Sequence, residues 1–348
     1  VSTRSRTSTI GALSAALVVA FSGGAIAQDP SATPAPTPPP SFATEPGALT
    51  LVAYTTPREA YAELIPLFQA TEAGQGITFE ESYGPSGDQS RAVSAGLPAD
   101  VLALSLWPDV ERLVEAGIVA PDWDENANGG IVHNSVVAFA VRPGNPKGIK
   151  SWDDLTRDDV VVITPNPLTS GGAQWNILAA YQAQIDAGKT EEEAIDYLRK
   201  LAGRVAVWDR GARDALNTFL TAGQGDVLIA YENEAIFAQQ QGQPLELVIP
   251  DNTLLIENPV APTLTGDAPD AARAFVEFLL TPEAQRVIGT HGFRPELDAV
   301  AGEFSYPQPT NLATVDGDLG GWAEARPRFF DPEEGIMAGI FQELGLES

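Results

Sequence analysis

The sequence predicts an α/β protein of two lobes joined by a hinge that the chain crosses twice, with a ligand cleft between the lobes. Three observations carry that expectation. From Ala48 onward, short β-rich runs alternate with helical stretches, the pattern of helices laid on mainly parallel sheets. A strand-like run at Ser135 to Val141 leads into Arg142-Pro143-Gly144-Asn145-Pro146, after which a second α/β series follows through Ile163, Val205 and Val227-Leu228-Ile229. Beyond Leu245-Glu246-Leu247-Val248-Ile249-Pro250, the helical stretch Ala268 to Leu280 and the tail around Gly320-Gly321-Trp322 have no lobe of their own, so the chain is expected to return to the first. The expected boundaries are 48–138 with 250–348 for lobe one and 139–249 for lobe two. Two crossings make a hinge, and a cleft beside a hinge is where a small ligand is held.

The first lobe reads as β-α-β-α-β. Leu49 to Tyr54 is the first strand, and Pro57 to Ala70 is a helix with proline in its opening turn. Ile77 to Glu81 is the next strand, followed by the turn Tyr83-Gly84-Pro85-Ser86-Gly87. Asp88 to Gly96 reads as a helix closed by glycine, and Val101 to Leu104 as a short buried strand.

Ahead of the lobes, Arg4 and Arg6 precede an apolar run from Ile10 to Phe21, and Ala25-Ile26-Ala27 offers small residues in the order a signal peptidase reads. Residues 1–27 are therefore expected to be a cleaved signal peptide and the protein to be exported, periplasmic or extracellular. Residues 28–47 are rich in Pro, Ala, Ser and Thr and read as an extended tether.

Composition narrows the function. Among 348 residues, 47 Asp and Glu face 20 Lys and Arg, a formal net charge of −27 that argues against nucleic acid or an anionic membrane surface as partner. An anion reaching this chain arrives against the overall field, so a site for one must work through local, oriented donors. The chain has no Cys, which removes disulfides, thiolate metal sites and thiol nucleophiles. His133 and His291 are its only histidines, and their spacing suggests no metal pair. Gly84-Pro85-Ser86-Gly87-Asp88 is not the serine elbow of hydrolases. The reading is a binding protein with no enzymatic activity, no cofactor and no metal, expected to be a monomer.

Three segments share one design, in which a predicted strand ends in a turn of small residues and a helix follows at once. They are Gly84-Pro85-Ser86-Gly87, Thr169-Ser170-Gly171-Gly172 and Asp209-Arg210-Gly211-Ala212. The first N–H groups of such a helix lack internal acceptors and carry the positive end of the helix dipole, which makes an anion cradle. Glycine lets the backbone come close and a serine hydroxyl adds a donor. Any one of these is ordinarily a capped helix start. Three of them, divided between both lobes, point to a common ligand.

The stretches Pro85-Ser86-Gly87-Asp88-Gln89, Val162-Ile163-Thr164-Pro165-Asn166-Pro167, Ser170-Gly171-Gly172-Ala173-Gln174-Trp175-Asn176, Gly211-Ala212-Arg213 and Gly225-Asp226-Val227-Leu228-Ile229-Ala230-Tyr231-Glu232-Asn233-Glu234, with Phe293-Arg294-Pro295 and Gly320-Gly321-Trp322-Ala323, resemble the sulfate-binding proteins of ABC importers, members of the periplasmic binding protein superfamily. The resemblance implies a dianion held by hydrogen bonds alone, and an importer permease as the partner that receives it. It places the Ser86 hydroxyl, Ser170, Gly171 and Gly172, the Ala212 N–H and the Thr55 N–H on the ligand. Thr55 stands where that family has Asp, and the peptide N–H survives the change. Tyr231 stands where the family has Trp, and a phenol accepts as well as donates.

Asp88 stands where the family pattern has Lys. It reads either as a solvated first-turn residue that suits the helix dipole, or as an acceptor in the cleft that would favour a protonated anion. Sulfate is the first ligand expected; phosphate, thiosulfate, molybdate or another tetrahedral oxyanion is the alternative, as is a sensor subunit that reports an anion without transport. Arg58 and Arg213 are expected to pair with acids such as Glu59, Asp209 or Asp214 rather than with the ligand.

Overall fold

The computed structural model describes residues 47–346; the expected signal peptide and nearly all of the expected tether lie outside them. Among the described residues no helix is long and apolar enough to cross a membrane.

Along the chain, β1 (Ala48–Tyr54), α1 (Arg58–Gln69), β2 (Thr78–Gly84), α2 (Ser86–Ser94), β3 (Val101–Ala103) and α3 (Trp107–Glu115) come first. They lead to β4 (Ile131–Val141), and then to β5 (Val162–Pro165), α4 (Gly171–Asp186), α5 (Glu191–Ala202), β6 (Val205–Asp209), α6 (Ala212–Leu220), β7 (Val227–Tyr231), α7 (Glu232–Gln240) and β8 (Glu246–Val248). The long β9 (Asn252–Pro262) is followed by α8 (Pro269–Leu279), α9 (Pro282–Thr290), β10 (Arg294–Pro295), α10 (Asp298–Ala301), β11 (Asn311–Ala313), α11 (Val315–Asp318), α12 (Trp322–Phe330) and α13 (Ile336–Leu344).

The strands run in the order β2-β1-β3-β9-β4-β7-β5-β6. At one end β1 pairs parallel with β2 and β3, and at the other β5 pairs parallel with β6 and β7. Strands buried on both faces need continuous apolar runs, and β1 and β7 supply them: only Ala48 of their residues is not buried. Helices cover both faces of each end. On the first, Phe68, Phe275 and Phe278 form one core layer, and Leu102, Val110 and Leu113 form the other.

Between the two ends lie β4 and β9, paired antiparallel. Each changes partner midway: β4 pairs with β9 up to Val136 and with β7 from Val137, while β9 pairs with β4 up to Pro259 and with β3 from Val260. These are the two crossings. Strand β9 lies in a stretch to which the sequence assigns no element, and its prolines sit where the strand changes partner or ends.

Two local differences bear on the site. Helix α2 starts at Ser86, two residues before the expected Asp88, with the extended Pro85 as its N-cap, so Ser86 and Gly87 fall in the first turn. The tail, assigned from sequence to lobe one, packs its last helices on α4 and α5 of the other end. Trp322 meets Trp175 edge to face at 4.8 Å, Phe329 meets Tyr181 at 4.9 Å, and Arg199 pairs with Glu343 at 2.6 Å. With the sheet on one side and the tail on the other, α4 is buried from Gly171 through Gln184, and its buried amides are bonded: Gln174 to the Pro167 carbonyl, and Asn176 to Thr164 and the Ile229 carbonyl.

Removing the Trp322 indole opens a cavity against Trp175. Trp322→Ala is expected to lower stability by about 3–5 kcal/mol, read as an earlier urea midpoint followed at α4 by the Trp175 signal. A midpoint equal to that of the parent would show that the tail does not hold α4.

Candidate functional site

The strand-to-helix junctions converge at the carboxyl ends of the parallel strands, the edge where open α/β sheets place ligands. Helices α2, α4 and α6 each begin there, after Pro85, Ser170 and Gly211, and no side chain caps any of the three. The first bonds inside them come from Gln89 to Pro85, Ala173 to Ser170 and Ala215 to Gly211, leaving the N–H groups ahead of these without a helical acceptor. The ordinary reading of Ser170, a serine whose side chain caps its own helix, does not apply.

One cavity gathers these starts. Thr55, Ser86, Ser170, Gly172, Ala212 and Tyr231 line it, with Tyr54 and Ser105. Its volume is about 10 Å³, which by the same measure is the room one water needs. So small a space suits a compact group. Among the described residues no charged side chain lines it. Gly172 shows how tightly the donors gather: a Cβ there would lie 3.5 Å from Ser170 Oγ, 3.5 Å from the Tyr231 ring and 3.6 Å from Ala212. Gly171, also expected on the ligand, is not among the residues that line this cavity; a Cβ there would come within 2.7 Å of Ser105 Oγ and 2.9 Å of Leu106. Only glycine allows α4 to start so close to β3.

The hydroxyls are arranged in chains. Tyr231 Oη lies 2.6 Å from Ser105 Oγ, and burial holds the phenol pKa above its usual value, so Tyr231 keeps its proton. Tyr54 is held protonated in the same way, first by burial and then by Tyr231, and its Oη is buried with no partner. Ser105 is pinned through its carbonyl, which accepts from Trp175 Nε1 at 2.9 Å and from Asn258 Nδ2 at 3.1 Å. Ser86 differs from the expectation. Its hydroxyl donates to Asp109 Oδ2 at 2.7 Å and accepts the Ser105 N–H at 2.9 Å, so its one proton goes to a buried carboxylate and its remaining donor is the backbone N–H.

Asp88 is not among the residues that line the cavity. Its carboxylate accepts from Arg91 at 2.6 Å and from Arg210 at 2.7 Å, which ties α2 to the turn before α6. Arg213 donates to both oxygens of Glu59 at 2.8 and 3.0 Å and to Glu234 at 3.0 and 3.1 Å, the expected pairing with Glu59. Burial pushes the Glu234 carboxyl up, against the pull of Arg213; the Glu59 carboxyl is buried less, and Arg213 brings it below its usual value. Among the described residues Arg58 pairs with no acid, against the expectation, and it stacks on Tyr83, its guanidinium 4.5 Å from the ring centre. Glu232 takes Arg294, at 2.8 and 3.2 Å.

Tyr54, Ser105 and Asp109 were missed in the sequence. Ser105 carried a signal, since it is the small polar residue at the end of a third parallel strand. Asp109 carried none, because its role depends on α3 packing beside α2.

The family model described as bacterial extracellular solute-binding protein matches residues 49–294. A sulfate-binding protein of Synechocystis sp. is 41% identical over 87% of this chain and 88% of its own length. One from Synechococcus elongatus is 43% identical over 82% of this chain and 84% of its own. The solved sulfate-binding protein SubI from Mycobacterium tuberculosis superposes with a TM-score of 0.79 at 46% identity, covering 82% of this chain and 99% of that one. The matched span includes every residue that lines the cavity, and the chain belongs to the bacterial extracellular solute-binding proteins, in the group that holds the sulfate-binding proteins.

Proposed function

We propose that this protein captures sulfate in the cavity between its two lobes, by hydrogen bonds alone, and delivers it to the permease of an ABC importer, working as an exported monomer without turnover. The observation that carries the reading is the meeting of three uncapped helix starts around one small cavity whose lining side chains are all neutral. Oriented amides and hydroxyls stabilise a buried double charge locally, where the field of an acidic protein opposes it. The similarity to sulfate-binding proteins supports the choice of anion. So does the lining, since sulfate carries no proton near neutrality, whereas monohydrogen phosphate presents an O–H that needs an acceptor and no carboxylate borders the cavity.

The donors divide between the lobes: Thr55 and the start of α2 belong to one, the starts of α4 and α6 and Tyr231 to the other. Closure is then favoured by an anion that binds the shut form better than the open one. Arg213 reaching Glu59, Arg210 reaching Asp88 and Arg294 reaching Glu232 are charged contacts between the two halves.

Titration calorimetry with sulfate, phosphate, molybdate and thiosulfate tests the assignment, and phosphate or molybdate outranking sulfate would sink it. Ser170 is buried and, among the described residues, its hydroxyl makes no cap bond to its own helix, so Ser170→Ala is expected to weaken sulfate by about 10- to 150-fold, the worth of one hydrogen bond to a charge. Affinity for sulfate is expected to stay flat from about pH 6 to about pH 9, because burial keeps both lining phenols protonated throughout; a step in that range would point to a titrating acceptor. Arg213→Gln strands the buried Glu234 and is expected to cost about 3 kcal/mol in denaturant melts, while the ranking of anions stays the same.

A further inference from the structure

A second cavity, of about 400 Å³, lies next to the first, and its walls carry charge of the sign the chain lacks overall. Arg91, Arg112 and Arg326 line it, together with Gly87 and Gly171 from the first turns of α2 and α4. The buried Asp109 lies among them: Arg112 reaches its Oδ1 at 3.1 Å and Arg326 the same oxygen at 3.4 Å, while its Oδ2 is taken by Ser86. One carboxylate is thus divided between two guanidinium groups and a serine. Arg91 has its own partner in Asp88, which Arg210 shares. At the rim, Asp331 is occupied by the N–H groups of Glu333 and Glu334 at 2.9 Å each.

Among the described residues Arg326 is the group left short. Its other bond is to the Pro108 carbonyl at 2.7 Å. Burial, and then repulsion from Arg112 and Arg91, works against its charged form despite Asp109. Guanidinium forks that share too few oxygens are completed by an oxyanion, which they bind in paired fashion.

We propose that this arginine-lined cavity is a second, outer oxyanion site, which collects the same tetrahedral dianion beside the inner cavity and so offsets locally the repulsion of an acidic protein. The choice of sulfate as its ligand rests on the proposed function. Outer and inner cavities share one partition, since Asp109 lines the first and its partner Ser86 the second, 2.7 Å apart.

The test uses nitrogen-15 spectra of arginine side chains in the full chain. Sodium sulfate is added to one equivalent, which fills the inner cavity, and then into the millimolar range, with sodium chloride at matched ionic strength as the control. The expected result is a second, saturable shift of the Arg112 and Arg326 Nε signals with sulfate and none with chloride. In Arg112→Gln or Arg326→Gln protein, the saturation point of the shift left on the remaining arginine should move to at least about 10-fold more sulfate. Signals that stay fixed past one equivalent, or that follow chloride equally, would overturn the outer site. Arginine shifts with no tight one-equivalent phase would instead leave the outer site standing and remove the proposed function.

Discussion

A multiply charged anion in a dry cavity needs its charge spread over many fixed dipoles, and the molecule is built around that need. Backbone N–H groups at helix starts are suited to it, because they cannot be titrated and are fixed by the helix behind them. The arrangement works only if no side chain caps the helices first, and α2, α4 and α6 all lack such a cap. Gly171 follows from the same constraint, as does the smallness of the residues around it, since the α4 backbone must lie against Ser105 and Leu106.

Rigid placement of these dipoles depends on residues well away from the cavity. Trp175 connects two requirements: its ring carries the tail through Trp322, and its indole nitrogen fixes Ser105. Asp109 does likewise for α2, holding Ser86 from α3 while Arg112 and Arg326 hold Asp109 in turn. The tail is therefore part of the scaffold that aims α4, although it comes last in the chain.

What the sequence disclosed follows from what is local. Strand, small-residue turn and helix are written in consecutive residues, so the three junctions that carry Ser86, Ser170, Gly172 and Ala212 could be picked out before any fold was known, while Thr55 and Tyr231 came from the family resemblance; the structure brings these six to one cavity and leaves Gly171 out of its lining. Glu59 was one of several acids the sequence offered Arg213, with Asp209 and Asp214; the structure takes Glu59 and adds Glu234. The destination of the Ser86 proton was not legible, since it depends on a carboxylate 23 positions away. Asp88 left two readings open because first-turn geometry alone does not say which neighbours arrive; Arg210, from the other half, decides its direction. The tail was misplaced for a related reason: its aromatic residues announce burial but not the surface against which they are buried.

The neutral lining bears on how cargo leaves. Neither lining phenol can trade its proton near neutrality, and the nearby imidazole of His133, with a pKa lowered by burial to about 3, stays uncharged as well. A pocket without an acid or base to flip has no chemical trigger for unloading. Parting the halves so that water floods back around the ion is the remaining route, and the levers within reach are the strands β4 and β9, where each passes from one neighbour to the next. On the proposed reading, unloading becomes a matter of mechanics at these two strands.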